Sequence, residues 1–125
     1  MTAGEFRRLA LSLPDVEQRE HMTHPDFRVG GKIFATLGYP DDRYATIMVS
    51  SLDQELLIRD HPKAFQPAAG AWGRSGSTSV LLRLAPRRAV KIALEAAWTR
   101  RAPKAVSKAV PRAARRGTRR PSRAV

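Results

Sequence analysis

The chain has 125 residues, with 23 Lys and Arg against 11 Asp and Glu, and no cysteine. This length suits one domain, and the lack of cysteine excludes a disulfide scaffold, thiolate metal sites and a catalytic thiol. The net charge of +12 is unevenly placed, because residues 1–99 carry 13 basic and 11 acidic side chains whereas residues 100–125 carry 10 basic and no acidic ones. No run approaches the roughly 20 apolar residues that span a bilayer, and the first residues lack a signal-peptide pattern, which predicts a cytoplasmic protein with no membrane partner.

A short amphipathic helix is predicted first. Thr2 and Glu5 have the spacing of a capping box, in which each side chain accepts a hydrogen bond from the other residue's backbone amide. Pro14 ends the helical pattern. The apolar stripe of this helix has four members at helical spacing: Phe6, Leu9, Ala10 and Leu13. Residues 15–26 are polar and are predicted to be irregular.

The clearest local signal is a β-hairpin over residues 27–37. Two runs with strand composition flank Gly30 and Gly31, which tolerate the positive φ of a tight turn. Closing this turn pairs Val29 with Lys32 and Phe27 with Phe34, so these four side chains are predicted to share one face. A third strand is predicted in the sequence YATIMVS, residues 44–50.

The second half is predicted to contain a helix, a long connection, a strand and a final helix. The first of these helices begins near Ser51 and stops before Pro62. The connection covers residues 62–77 and the strand covers 78–84. Pro86 opens the last helix, which ends before Pro103. Its buried stripe is Val90, Ala93, Leu94, Ala97 and Trp98.

The resulting order, α-β-β-β-α-β-α, predicts an α+β fold: a mostly antiparallel sheet with helices on one face. We assign residues 1–102 to this domain and predict that residues 103–125, rich in Arg, Lys, Ala and Pro, are disordered. The side chains expected to face the helices are Ile33, Ala35, Leu37, Ala45, Ile47, Val49, Val80, Leu82 and Leu84.

The opposite, open face of the sheet mixes aromatic, hydroxyl and basic groups. Its predicted members are Phe27, Val29, Lys32, Phe34, Thr36, Tyr44, Met48, Ser79, Leu81 and Arg83. Aromatic rings interleaved with cations can stack on bases and neutralise phosphates. The alternative is that the 62–77 connection, with Phe65 and Trp72, folds over this face, since exposed apolar patches usually have a cover or a partner.

Motifs for catalysis or metal binding are weak. Serines near the Gly-rich connection lack a G-x-S-x-G pattern, and its glycines match no phosphate-binding loop, so we predict no enzyme activity and no cofactor. His21 and His24, with neighbouring carboxylates, have spacings that would allow a metal site on a helix, but Pro25 disfavours a helix there. A solvated loop of mixed charge is the alternative.

The basic C-terminal segment is predicted to attract polyanions. Ten cations without a counter-charge favour binding to phosphate backbones through counterion release, which gives affinity without sequence readout. The five arginines that we assign to this role are Arg112, Arg115, Arg116, Arg119 and Arg120. The alternative is a solubilising extension.

Several stretches resemble the MmcQ/YjbR-like family. They are HPDFRVGGKIFATL (24–37), LLIRDHPKAF (56–65), AWG (71–73), LLRLAP (81–86) and AAWTRRAPK (96–104). The resemblance covers residues 3–104 and implies a CyaY-like, or frataxin-like, α+β fold and a small bacterial DNA-binding protein with a double-wing arrangement of strands. It supplies no catalytic motif. Many relatives have an aromatic residue where this chain has Ser77, and the basic tail lies outside the family pattern. The acidic first helix of frataxin is not reproduced, since Glu5 is followed by Arg7 and Arg8.

Two hypotheses follow. The first is a non-enzymatic protein that binds DNA, with RNA as an alternative partner, through the basic tail and the open sheet face. Its candidate contacts in the domain are Arg28, Lys32, Phe34, Trp72, Arg74, Arg83, Arg87 and Arg88. The second is a module that binds a small molecule or a protein in a pocket between the open face and the 62–77 connection. A metal-dependent protein using His21 and His24 ranks last.

Overall fold

The computed structural model describes residues 1–21 and 23–104, without the side chain of His21. The elements in this part of the chain are α1 (Ala3–Leu11), β1 (Val16–His21), β2 (His24–Val29), β3 (Lys32–Leu37), β4 (Tyr44–Met48), α2 (Ser51–Asp60), β5 (Phe65–Pro67), α3 (Gly70–Arg74), β6 (Ser77–Leu81), a 3₁₀ turn (Leu82–Leu84) and α4 (Arg87–Arg101). The six strands of the described residues form one antiparallel sheet in the order β1-β2-β3-β4-β6-β5, which confirms the predicted α+β class. No helix among these elements is long and apolar enough to cross a membrane.

The helix starts follow the local sequence. The capping box of α1 is present: Glu5 N donates to Thr2 Oγ1 at 3.1 Å, and Thr2 N donates to Glu5 Oε1 at 2.7 Å. The second of these bonds favours the charged carboxylate and lowers the pKa of Glu5. Asp53 N donates to Ser50 Oγ at 3.1 Å and so caps α2, and Pro86 stands as the cap of α4 rather than inside it.

Helices α1 and α4 cover one face of the sheet and bury its apolar residues. The rings of Phe6 on α1 and Phe27 on β2 lie 6.2 Å apart, and Trp98 on α4 is 1% exposed. Indole Nε1 of Trp98 donates to the carbonyl of Pro14 at 3.0 Å, so the last helix is fixed to the chain that follows the first. The predicted stripe of α4 is confirmed as buried, and so are seven of the predicted helix-facing residues: Ala35, Leu37, Ala45, Ile47, Val49, Val80 and Leu82.

A β-bulge changes the predicted pairing of the hairpin. Val29 pairs with Lys32 as predicted, but Phe27 pairs with Ala35, because the register shifts by one residue at Phe34. The bulge places Phe34 and Ala35 opposite one residue of β2. Phe27, Val29 and Phe34 are therefore core residues with no exposed surface, so their predicted place on the open face is wrong. Ile33 leaves the helix-facing set, since it pairs with Arg28 on the other face.

Phe34 gives a direct test of this correction. We expect Phe34→Ala to destabilise the fold by about 3–5 kcal/mol, because it removes a fully buried ring and leaves a cavity. Urea denaturation of the variant and the wild type measures this loss, with the same dependence of the unfolding free energy on urea concentration used for both. The same substitution at the exposed Tyr39 is the control and should change stability little. A stable Phe34→Ala variant would place the ring on the surface instead.

Residues 15–26 are not irregular: most of them form β1 and the start of β2. Val16 pairs with Val29 and His21 pairs with His24, so the two strands form a second hairpin. Thr23 adopts a positive φ of 66° in its turn. The prediction failed because β1, with the sequence VEQREH, lies at the edge of the sheet and exposes Glu17, Gln18, Arg19 and Glu20, so no alternation of apolar residues marks it.

The 62–77 connection contains β5 and α3, which the sequence did not predict. Phe65 of β5 pairs with Val80 and is buried in the core, while α3 lies over the sheet face opposite α1 and α4. The helices are thus not confined to one face. The predicted strand 78–84 is shorter, because residues 82–84 form the 3₁₀ turn, which leaves Leu84 42% exposed and takes Arg83 off the sheet. Most of the segment predicted to be disordered, residues 105–125, lies outside the described residues.

Candidate functional site

One set of basic residues gathers at the hairpin end of the sheet, which we define as the end that carries the Gly30–Gly31 turn. Arg100 Nη1 donates to the carbonyl of Met48 at 3.1 Å, which places the last turn of α4 at this end. Pro103 then lies against the turn, since a Cβ added at Gly30 would be 2.5 Å from its Cγ. Lys32, Arg101 and Lys104 are therefore close to the point where the basic segment begins. Asp15, which directly precedes β1, also lies at this end, because Val16 pairs with Val29.

The other predicted cations do not join them in a single strip. Arg87 and Arg88 open α4, whose 15 residues span about 21 Å, so they lie at the opposite end of the helix. Arg87 Nη1 is 3.8 Å from Glu5 Oε2 and is partly neutralised. Arg83 lies on the 3₁₀ turn and Arg74 on α3, both exposed. Arg112, Arg115, Arg116, Arg119 and Arg120 lie outside the described residues.

Arg28 is occupied by an ion pair within the sheet. Its Nε and Nη2 donate to Asp26 Oδ1 at 2.8 Å and to Oδ2 at 3.0 Å, and the Asp26 side chain has no exposed surface. These hydrogen bonds raise the pKa of Arg28. Because the buried carboxylate needs this partner, Arg28 supports the fold through its pairing with Asp26.

A cleft of about 490 Å³ lies between the open sheet face and α3. Trp72, on α3, is 60% exposed. Thr36 and Thr46, on the central strands β3 and β4, form a cross-strand pair at the floor of the cleft. Seven described residues line the cleft: His24, Thr36, Tyr39, Thr46, Ala68, Ala69 and Trp72. The second hypothesis placed its pocket in this space. Trp72 is an accessible aromatic group, whereas Phe34 is not.

The position of α3 is fixed by contacts with α2. Gln54, which is 9% exposed, donates from Nε2 to the carbonyls of Gly73 at 2.9 Å and Ser77 at 3.0 Å. Gly73 packs so closely that a Cβ there would be 1.8 Å from the carbonyl oxygen of Ala68. Trp72 is thus held on a short helix with a defined place, although the helix itself has only five residues.

The turn after β3 forms the other wall of the cleft. The His24 and Tyr39 rings meet edge to face at 6.2 Å. In the same turn, Arg43 donates to Asp41 from its backbone N at 2.9 Å, from Nε at 3.0 Å and from Nη2 at 2.8 Å. These bonds, chiefly those from the Arg43 side chain, lower the pKa of Asp41 to about 2.

The titration of Asp41 tests this turn. We expect its side-chain carboxyl ¹³C signal to titrate near pH 2, and Arg43→Ala to move the midpoint toward the ordinary value of 3.8. Because the folded pKa is the lower one, the ion pair stabilises the fold above pH 3.8, and this contribution is lost as the pH falls toward 2. Arg59→Ala is the control and should leave the midpoint unchanged. A wild-type midpoint near 3.8 would mean that the pair does not form.

The predicted metal residues lie on strands rather than on a helix. His21 and His24 are Cα partners in the β1–β2 hairpin, while Asp26 is already paired with Arg28. Among the described residues, no group of three His, Cys, Asp or Glu side chains could hold a metal ion. The spacings of His21, His24 and their neighbouring carboxylates would suit a metal site on a helix, but this segment forms strands.

Two cleft residues were missed from the sequence. Thr46 was not assigned to the open face, although strict alternation in YATIM would have placed it there with Tyr44 and Met48. Tyr39 was not assigned to any site. Thr36 was assigned correctly, and it pairs with Asp26 and with Thr46.

The fold and its comparisons define the family. The YjbR family model matches residues 11–100, so the chain belongs to the YjbR family. The structure is similar to the crystal structure of the Deinococcus radiodurans protein DR2400, which carries a DUF419 domain. The TM-score is 0.68 and the identity 18%, and the match covers 92% of this chain and 86% of that one. This likeness concerns the fold alone. No curated protein matches the chain.

Proposed function

We propose that the chain is a non-enzymatic cytoplasmic protein that binds nucleic acid, chiefly DNA, with little regard to sequence. The observation that carries the proposal is the packing of Pro103 against Gly30, which starts the basic segment beside Lys32. Residues 100–125 hold 10 basic and no acidic side chains, so phosphate contacts begun at the hairpin end would continue along the segment.

The charge distribution supports a polyanion as the partner. Residues 1–99 are almost neutral, so long-range attraction comes from the segment that leaves the hairpin end. Contacts of this kind are made to the backbone of the nucleic acid and carry no base information. Arg87 and Arg88 lie at the far end of α4 and are expected to contribute little.

A salt series with the full chain tests the proposal. We expect Kd for duplex and single-stranded oligonucleotides to rise steeply between 50 and 200 mM salt, because each phosphate contact contributes about 0.9 to the logarithmic salt slope for duplex DNA. Replacing Arg112, Arg115, Arg116, Arg119 and Arg120 by glutamine should reduce this slope, and Lys32→Glu should weaken binding further.

Controls separate the hairpin end from general charge. Lys63→Glu makes the same charge change as Lys32→Glu on an exposed lysine beyond the other end of the sheet, and it should weaken binding less. If the wild-type chain binds no oligonucleotide at 50 mM salt, the proposal fails. If the five-glutamine variant keeps the wild-type slope, the basic segment is not the contact. If Lys63→Glu weakens oligonucleotide binding as much as Lys32→Glu does, the hairpin end has no special role.

A further inference from the structure

A row of polar side chains crosses the open face at one level. The register pairs Asp26 with Thr36, Thr36 with Thr46, Thr46 with Ser79, and Ser79 with Gln66. The row thus runs through five adjacent strands, and its centre is the floor of the cleft. If this face were simply packed beneath α3, we would expect apolar residues at this level, as on the opposite face.

The two threonines at the centre are the available hydrogen-bonding groups. Thr46 is 4% exposed and Thr36 is half-buried. Among the residues that the structure describes, neither hydroxyl has a hydrogen-bond partner, whereas Thr78, which is buried on the other face, donates to the carbonyl of Gly76 at 2.8 Å. Each hydroxyl can donate one hydrogen bond and accept others from a molecule in the cleft.

The walls present flat rings to the same space. Trp72 lies on one side, and the His24–Tyr39 pair forms another. An exposed tryptophan buries much apolar surface when a planar molecule stacks on it, and the pairing of aromatic rings adds to the stabilisation that this burial gives. Because Gln54 and Gly73 fix the backbone of α3, the residue that carries the indole has a defined position beside the cleft.

The lining also limits the charge of a ligand. The seven described lining residues include no lysine, arginine or carboxylate, and the nearby Asp26 carboxylate is neutralised by Arg28. A volume of about 490 Å³ is within the range of small-molecule sites, which mix apolar walls with a few polar groups. We propose that this cleft is a binding site for a small, neutral, planar heteroaromatic molecule, which stacks on Trp72 and forms hydrogen bonds through its edge to Thr36 and Thr46.

The two tryptophans of the chain allow a direct test with the full-length protein. We expect adenine, used as a neutral planar probe, to shift the ¹⁵N–¹H indole signal of Trp72 in a saturable manner and to leave that of the buried Trp98 unchanged. Trp72→Phe assigns the signals. Cyclohexanol, which is neutral but not planar, and benzoate, which is planar but charged, should bind at least tenfold more weakly.

Isosteric substitutions test the floor. Thr36→Val and Thr46→Val should each weaken adenine binding about tenfold, while Thr99→Val on α4, away from the cleft, should not change it. Calorimetry of the same variants gives an independent affinity. The proposal is overturned if neither adenine nor hypoxanthine shifts the Trp72 signal at millimolar concentration. It is also overturned if both threonine variants bind as the wild type does, or if benzoate binds as tightly as adenine.

Discussion

Trp98→Ala is expected to remove about 3–5 kcal/mol of the free energy of unfolding, whereas Trp72→Ala should change it by less than about 0.5 kcal/mol. Trp98 is 1% exposed and packs in the core between α4 and the sheet, so its loss leaves a large cavity. It also leaves the carbonyl of Pro14 without the indole hydrogen bond at 3.0 Å. Trp72 is 60% exposed and has little contact surface to lose.

Urea denaturation followed by circular dichroism measures both losses on one scale. Small domains have a total stability of about 5–15 kcal/mol, so the Trp98 variant should be partly unfolded well below the denaturation midpoint of the wild type. The Trp72 variant is the matched control, since it makes the same change in the same chain. Equal losses at both positions would contradict the burial of Trp98 and the exposure of Trp72.

Gly73→Ala should both destabilise the fold and abolish binding in the cleft. The Cβ of the new alanine would be 1.8 Å from the carbonyl oxygen of Ala68 and 2.8 Å from its carbonyl carbon. Both are backbone atoms, so no side-chain rotation can relieve the clash. Helix α3 must therefore move. Overpacking of this kind typically costs about 1–3 kcal/mol. The displacement also moves Gly73 away from Gln54 and changes the position of Trp72.

Gly4→Ala is the control for this prediction. Gly4 lies in α1, and a Cβ there would meet nothing closer than 3.8 Å. The change should raise stability by about 0.4–1 kcal/mol, because alanine restricts the unfolded chain and suits a helix. Denaturation midpoints and the adenine titration of the Trp72 indole signal check both variants. A Gly73→Ala variant that keeps the wild-type stability and the wild-type Trp72 shift would show that α3 is not held where the structure places it.

Local signals in the sequence were sufficient for much of the fold. The Thr2–Glu5 box, the Gly30–Gly31 turn and the stripe of α4 each combine a short-range chemical preference with a regular spacing, and all three are present. The faces of β2 and β3 were not predictable in the same way. Phe34 opens a bulge, and a single extra residue reverses which side chains share a face.

The candidate site was less accessible to sequence reasoning because long-range packing creates it. The Gly-rich composition of residues 62–77 predicts a loose connection, yet Gln54 fixes it from another helix through carbonyl groups that no motif identifies. Arg28 was predicted to be available for phosphate, because the sequence does not show that Asp26 is buried and paired with it. Trp72 was chosen for its aromatic ring, and its exposure depends on that packing.

The two outer strands of the sheet have a consequence for how copies of this chain meet. β1 carries charged side chains along most of its length, and β5 is only three residues long and ends in Pro67, which has no amide proton to donate. Outer strands that are charged, short or interrupted by proline resist pairing with a neighbour's backbone. The polar side chains of β1, which left it without the apolar alternation of a predicted strand, therefore also oppose backbone pairing between the sheets of two molecules. At high concentration, we expect association to occur through side chains on the faces of the molecule and not through extension of the sheet.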